Sequence, residues 1–231
     1  MIKNPLIVAL DVDTLDEAVA LVKKLGDSIE IYKIGSQLFT AYGPQAVKEV
    51  TSLGKKVFLD LKFHDIPNTV ANAVTSATGL GVFMMTVHTI GGIDMMEAAI
   101  EAAEKKAKDM NIQRPLIVGV TVLTSASKEE STEAKVLERA EHAKRAGLDG
   151  VVASAHEIVA LRRDLGKDFV IVTPGIRPAG EDKGDQKRTA TPAEAIADGS
   201  NFLVVGRPIV KAPVPRDAAA AILKEIYGHS V

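Results

Sequence analysis

Short apolar, β-branched runs alternate with longer helical patterns along the whole chain, and this alternation limits the possible folds more than any other feature. The runs span 6–12, 29–35, 56–63, 82–88, 116–123, 150–154, 169–174 and 202–206. Most are near-continuous Val/Ile/Leu stretches, as parallel strands covered on both faces require. The segments between them are amphipathic. Residues 15–25 set Leu15, Val19, Val22 and Leu25 on one stripe, and 93–110 and 131–147 are longer, Ala/Glu/Lys-rich versions. Gly26, Gly54 and Gly147 sit where helices would stop, and Pro44, Pro67 and Pro192 suit first turns. Eight βα units of about 29 residues fill the 231 residues, and eight is the number that closes a (β/α)8 TIM barrel. The expected architecture is α/β, a single barrel domain spanning 1–231. An open doubly wound sheet is the runner-up. It would call for a Gly-rich turn after the first strand, where this chain has Asp11-Val12-Asp13.

Composition narrows the function classes. With 28 basic and 30 acidic residues the formal charge is −2, which gives no general electrostatic reason to bind nucleic acid. The absence of cysteine excludes disulfides, a thiolate nucleophile, iron–sulfur clusters and cysteine-ligated zinc, and suits a reducing compartment. The apolar run at 6–10 is cut short by Asp11 and Asp13, too soon for a signal peptide, and no run approaches the roughly 18 apolar residues of a membrane span. A cytoplasmic globular protein with no membrane partner is expected.

Residues 175–190 break the pattern of short connections. The segment is polar and glycine-rich with no helical or strand period, and loops of that length are usually lids, binding loops or disordered. It follows the seventh run, on the face where barrel enzymes carry their chemistry.

In a barrel, polar residues at the C-terminal ends of strands are the candidates. Strand one ends in Leu10-Asp11-Val12-Asp13, strand two holds Tyr32-Lys33-Ile34-Gly35, and strand three reads Asp60-Leu61-Lys62-Phe63-His64-Asp65. Period-two alternation puts Asp60 and Lys62 on one face of strand three, opposite Leu61 and Phe63. These groups are either solvated or salt-bridged charges, or an array of acids and bases that keeps one lysine cationic as a proton donor. Flanking apolar residues favour the array, because an unpartnered charge on a buried strand costs several kcal/mol.

Strands seven and eight end in Thr173-Pro174-Gly175-Ile176-Arg177 and Val204-Val205-Gly206-Arg207. A glycine lets backbone N–H groups approach an oxyanion and an arginine adds charge-assisted bonds; these two loops are the usual phosphate site of such barrels. His64 and His88 near strand ends could be imagined as metal ligands, but no ligand spacing supports this and Lys33 and Lys62 oppose a cation. His142, His156 and His229 read as helix-associated or terminal, and Met84, Met85, Met95 and Met96 as core filler.

The run Phe58-Leu59-Asp60-Leu61-Lys62-Phe63-His64-Asp65-Ile66-Pro67-Asn68-Thr69 resembles the signature of the orotidine 5′-phosphate decarboxylase family. The resemblance extends over essentially the whole chain, through Ala9-Leu10-Asp11, Lys33-Ile34-Gly35, Leu123-Thr124-Ser125, Thr173-Pro174-Gly175-Ile176-Arg177 and Val205-Gly206-Arg207. It implies decarboxylation of orotidine 5′-monophosphate to uridine 5′-monophosphate, without metal or other cofactor. Lys62 would be the proton donor, with Asp60 beside the substrate carboxylate and Lys33 and Asp65 completing the charge network. Asp65 and Thr69 would reach across from the partner subunit of a homodimer. Asp11 and Lys33 would hold the ribose, and Thr124 or Ser125 would meet the pyrimidine edge. Arg207, the Gly206 backbone and Gln186 would hold the phosphate, with Arg177 and Pro174 at the base of a mobile 175–190 loop.

The competing reading is a Mg²⁺-dependent sugar-phosphate relative, such as 3-keto-6-phosphogulonate decarboxylase or hexulose-phosphate synthase. Those enzymes need an acid at the end of strand two, where this chain has Lys33. A non-catalytic nucleotide-binding barrel would leave Asp60, Lys62 and Asp65 as superfluous charges.

Overall fold

Eight parallel strands close on themselves in chain order: β1 (Leu6–Ala9), β2 (Ile31–Gly35), β3 (Lys56–Phe63), β4 (Met84–His88), β5 (Leu116–Val120), β6 (Gly150–Val152), β7 (Val170–Thr173) and β8 (Phe202–Val205). β8 pairs with β1 through Leu203↔Leu6 and Val205↔Val8, which completes the TIM barrel. The computed structural model describes residues 4–122, 132–178 and 189–228.

The helices are α1 (Leu15–Leu25), α2 (Ser36–Tyr42), α3 (Pro44–Ser52), α4 (Pro67–Gly79), α5 (Ile93–Met110), α6 (Glu133–Arg145), α7 (Ile158–Leu165), α8 (Pro192–Ala197), α9 (Arg207–Val210) and α10 (Pro215–Tyr227). Local chemistry sets their starts. Thr14 caps α1 and Thr191 caps α8, each in a reciprocal box with a glutamate three residues on, and prolines open α3, α4 and α8. The β2–β3 crossover and the segment after β8 each carry an extra helix. Gly43, at φ 55°, turns the chain between α2 and α3, and Pro213 lies between α9 and α10, which Pro215 opens.

Several boundaries differ from the sequence reading. The strands are shorter than the apolar runs, so Asp11 and Asp13 lie beyond β1 in the loop before α1. The buried stripe of α1 is Ala18, Leu21, Val22 and Leu25, whereas Leu15 and Val19 are half-buried at its edge. The barrel wall meets the helix one position round from the line drawn through the larger side chains.

The core has two layers. Ile7, Ala9, Ile31, Phe58, Met84, Val118, Val172, Phe202 and Val204 fill the barrel interior. Residues of opposite parity, such as Val8, Tyr32, Leu59, Met85 and Leu203, pack outward against the helices. All four methionines of the Met-Met pairs are buried. The N-terminal rim is tied by charge. Arg114 makes two 2.8 Å bonds to Asp149, which also accepts the Ile117 N–H at 2.7 Å. Arg162 donates to the carbonyls of Gly199, Gly166 and Phe169. Stability devices thus gather at one rim and leave the C-terminal rim for the site.

Candidate active site

Following the inward parity toward the strand ends leads from packed aliphatics to charge. Ile31 is succeeded by Lys33, Phe58 by Asp60 and Lys62, and Met84 by Thr86. A cavity of about 140 Å³ opens there, lined by Lys33, Asp60, Lys62, Ser154 and Pro174 above Phe58, Val120, Val152 and Val204.

The charges form one chain of alternating sign. Lys33 Nζ lies 3.2 Å from Asp11 Oδ1 and 3.7 Å from Asp60 Oδ2, and Lys62 Nζ lies 2.9 Å from both Asp60 oxygens. Asp60 and Lys33 are each 13% exposed, whereas Lys62 keeps 35% of its side chain open to the cavity mouth. Asp60 thus stands between both ammonium groups, and the two lysines balance the two aspartates, with Lys62 at the open end of the chain to meet an anionic substrate. Thr86 completes the inner arrangement: its hydroxyl donates to Asp60 Oδ1 at 3.0 Å and accepts the Lys62 backbone N–H at 2.8 Å.

The backbone at Lys62 departs from a plain strand. Its φ is +53°, and the β3–β4 register shifts between Leu59 and Phe63. A left-handed non-glycine residue costs on the order of 1–3 kcal/mol and is held only where its surroundings over-determine it. Here the Thr86 bond and the Asp60 contact do so, and the distortion aims the ammonium along the cavity wall.

Space around the lysines is kept by glycine. A Cβ at Gly35 would stand 3.1 Å from Lys33 Nζ, and one at Gly206 would stand 3.4 Å from Asp11 Oδ2. Histidine chemistry borders the site as well. The rings of His64 and His88 lie 5.7 Å apart, and burial, followed by His64, Lys62 and Arg139, lowers the His88 pKa against the opposing pull of Asp60. Among the described residues, no cluster of three or more His, Asp or Glu side chains could hold a metal ion.

The fold brings together Asp11, Lys33, Asp60, Lys62 and Pro174 as the sequence suggests. Gly206 and Arg207 follow β8 beside Asp11, with Arg207 exposed. Arg177 is half-buried, donates to the Ile176 carbonyl at 2.8 Å, and sits where Ile176 pairs with Ala190 to tie the ends of the long segment. Asp65 and Thr69 are not joined to this network within the chain. Both are exposed, and Asp65 accepts the Ile66 N–H at 2.7 Å. Thr124, Ser125, Gln186, His229 and most of the 175–190 segment lie outside the described residues.

Neither Thr86 nor Ser154 stands out in the sequence. Thr86 reads as a β-branched strand residue, and only the β3–β4 register places it beside Asp60; Ser154 reads as a loop serine after a short strand.

Comparison with known proteins adds independent findings. Residues 4–222 match the model of the Orotidine 5′-phosphate decarboxylase / HUMPS family. The chain is 49% identical to an orotidine 5′-phosphate decarboxylase of Moorella thermoacetica, over 97% of this chain and 92% of that protein. It is also 49% identical to one of Legionella pneumophila, over 96% and 98%. Its fold is similar to the crystal structure of orotidine 5′-phosphate decarboxylase from Lactobacillus acidophilus, with a TM-score of 0.85, 39% identity and coverage of 97% and 99%.

Proposed function

The chain belongs to the Orotidine 5′-phosphate decarboxylase / HUMPS family, and we propose from its site how it decarboxylates orotidine 5′-monophosphate to uridine 5′-monophosphate. The observation that carries the mechanism is the Lys62 ammonium held 2.9 Å from both oxygens of Asp60 at the cavity wall. Decarboxylation breaks the bond from C6 to the carboxylate and leaves the electron pair in an sp² orbital, with no carbonyl placed to spread it as an enolate. A fixed cation at that carbon stabilises the developing charge. Lys62 then transfers a proton from Nζ to C6, carbon dioxide departs, and the neutral amine is reprotonated from solvent.

Asp60 stands beside the substrate carboxylate. The two anions repel in the ground state, and the repulsion falls as charge moves toward C6 and Lys62. Asp11 and Lys33 take the ribose hydroxyls. Arg207, the Gly206 backbone and Arg177 are assigned to the 5′-phosphate, whose binding energy serves alignment and not bond breaking directly. Gln186 and Thr124 keep their phosphate and pyrimidine assignments from the family resemblance alone. The 175–190 segment belongs to the phosphate end of the same proposal.

The exposure of Asp65 and Thr69 supports a homodimer in which the partner subunit's Asp65 and the partner subunit's Thr69 enter the site. No helix among the described residues is long and apolar enough to cross a membrane, and a cytoplasmic location is part of the proposal. Lys33 within β2 speaks against the Mg²⁺-dependent alternative, because it sets an ammonium beside Asp60 where that chemistry needs an acid. Loss of orotidylate absorbance, followed with purified protein in buffer containing a strong chelator, tests the proposal. Turnover that survives the chelator supports it; turnover that is lost and restored by Mg²⁺ overturns the cofactor-free mechanism.

A further inference from the structure

Two polar side chains at the end of β6 have no part in the chemistry above. Ser154 lines the cavity, and its hydroxyl donates to Glu157 Oε2. Both residues are buried, Ser154 at 3% and Glu157 at 6% exposure. A carboxyl group at that depth is costly unless its oxygens are bonded. The local backbone builds the pair: Ser154 precedes the 3-10 turn Ala155–Glu157, whose last N–H returns to the Ser154 carbonyl at 3.1 Å before α7 begins.

Among the described residues, the polar side chains lining the cavity apart from Ser154 are Lys33, Asp60 and Lys62, and all three come from β2 and β3. β6 stands three places round the closed ring from β3. Ser154 therefore belongs to the far wall, across an apolar floor that includes Val120 and Val152. A six-membered ring with its reacting carbon at Lys62 turns its opposite edge toward that wall. On the functional reading above, on which this inference rests, that edge is the imide N–H of the pyrimidine, para to C6.

We propose that the Ser154–Glu157 pair reads this N–H and so sets specificity for a uracil-type ring. With its proton committed to Glu157, the Ser154 oxygen offers only lone pairs to the ring. It accepts from the imide N–H. A cytosine-type ring, bare at the same nitrogen, meets lone pair with lone pair and is rejected. Glu157 is a positioning residue that acts through Ser154.

The test measures orotidylate turnover together with the dissociation constants of uridine and cytidine 5′-monophosphate. The proteins are the parent, Ser154→Ala, Glu157→Ala, Glu157→Gln and the Ser154→Ala/Glu157→Ala double variant. Ser154→Ala is expected to shrink the uridylate-over-cytidylate preference by about tenfold, the loss of one hydrogen bond, and to raise KM more than it lowers kcat. Glu157→Ala should shift the preference in the same direction, Glu157→Gln less so, and the double variant no further than Ser154→Ala alone. An unchanged preference in Ser154→Ala overturns the proposal, and so do Glu157→Ala effects that add to those of Ser154→Ala. If Glu157→Ala does not fold, Ser154→Ala and Glu157→Gln decide. A parent protein that leaves orotidylate intact overturns the functional reading itself, an outcome distinct from a parent that turns over beside variants that behave like it.

Discussion

The hydroxyl of Thr86 on β4 donates to Asp60 Oδ1 on β3 at 3.0 Å, and the Thr86 oxygen itself accepts the backbone N–H of Lys62 at 2.8 Å. One side chain thereby fixes the carboxylate and the strained backbone of the lysine that it flanks. Thr86→Val keeps the shape and deletes both bonds. It should lower stability by about 1–3 kcal/mol, the cost of stranding buried polar groups, and lower kcat because Lys62 loses its anchor. Thr86→Ser should restore most of both. Chemical denaturation and steady-state kinetics on the pair check this; a Thr86→Val protein with parental kcat would remove Thr86 from the site.

Gly35 leaves room for the Lys33 ammonium, since a Cβ there would stand 3.1 Å from Nζ. Gly35→Ala must displace that group by a few tenths of an ångström and disturb its contacts with Asp11 and Asp60. A fall in kcat/KM of roughly tenfold to a hundredfold is expected, the scale of small misplacements in an active site, with little change in melting temperature. Parental kcat/KM would show that Lys33 tolerates the shift.

Arg207 is assigned to the phosphate, so its effect should depend on the substrate carrying one. Arg207→Ala should lower kcat/KM for orotidine 5′-monophosphate by about a hundredfold or more, as expected for a charge-assisted contact. It should leave the slow turnover of unphosphorylated orotidine nearly unchanged. Equal losses on both substrates would contradict the assignment.

His88 gives a pH dependence of stability with a definite sign. Burial and then His64, Lys62 and Arg139 disfavour its protonation in the folded protein, so its pKa there is below the ordinary 6.5. Between those two values the unfolded chain binds more protons than the native one, and stability falls as pH is lowered. Above pH 6.5 His88 imposes no such penalty. Denaturant midpoints at pH 8 and pH 5.5 should therefore differ more for the parent than for His88→Asn. An equal difference in both would show that other groups carry the effect.

Much of the fold is legible in the sequence because each parallel strand is buried on both faces and so appears as its own apolar run. The shared face of Asp60 and Lys62 follows from strand parity alone. What parity cannot show is the left-handed turn at Lys62: a lysine there reads as ordinary extended backbone, and the distortion exists only through the shifted β3–β4 pairing. Thr86 and Ser154 are hidden for a related reason, because their partners are set by register and by a turn and not by any motif. Asp65 and Thr69 stand out in the signature run, yet among the described residues of one chain they do not join the charge network. Their assignment depends on a second subunit.

Lys62→Ala removes the ammonium assigned as the proton donor. Turnover of orotidine 5′-monophosphate in chelated buffer should fall by about four orders of magnitude or more, beyond the 10²–10⁴-fold typical of general acid catalysis alone because charge stabilisation is lost with it. The dissociation constant of uridine 5′-monophosphate should stay within about tenfold of the parent's, since the ribose and phosphate contacts remain. A Lys62→Ala protein that binds uridylate normally and still turns over within tenfold of the parent would show that Lys62 is not the proton donor.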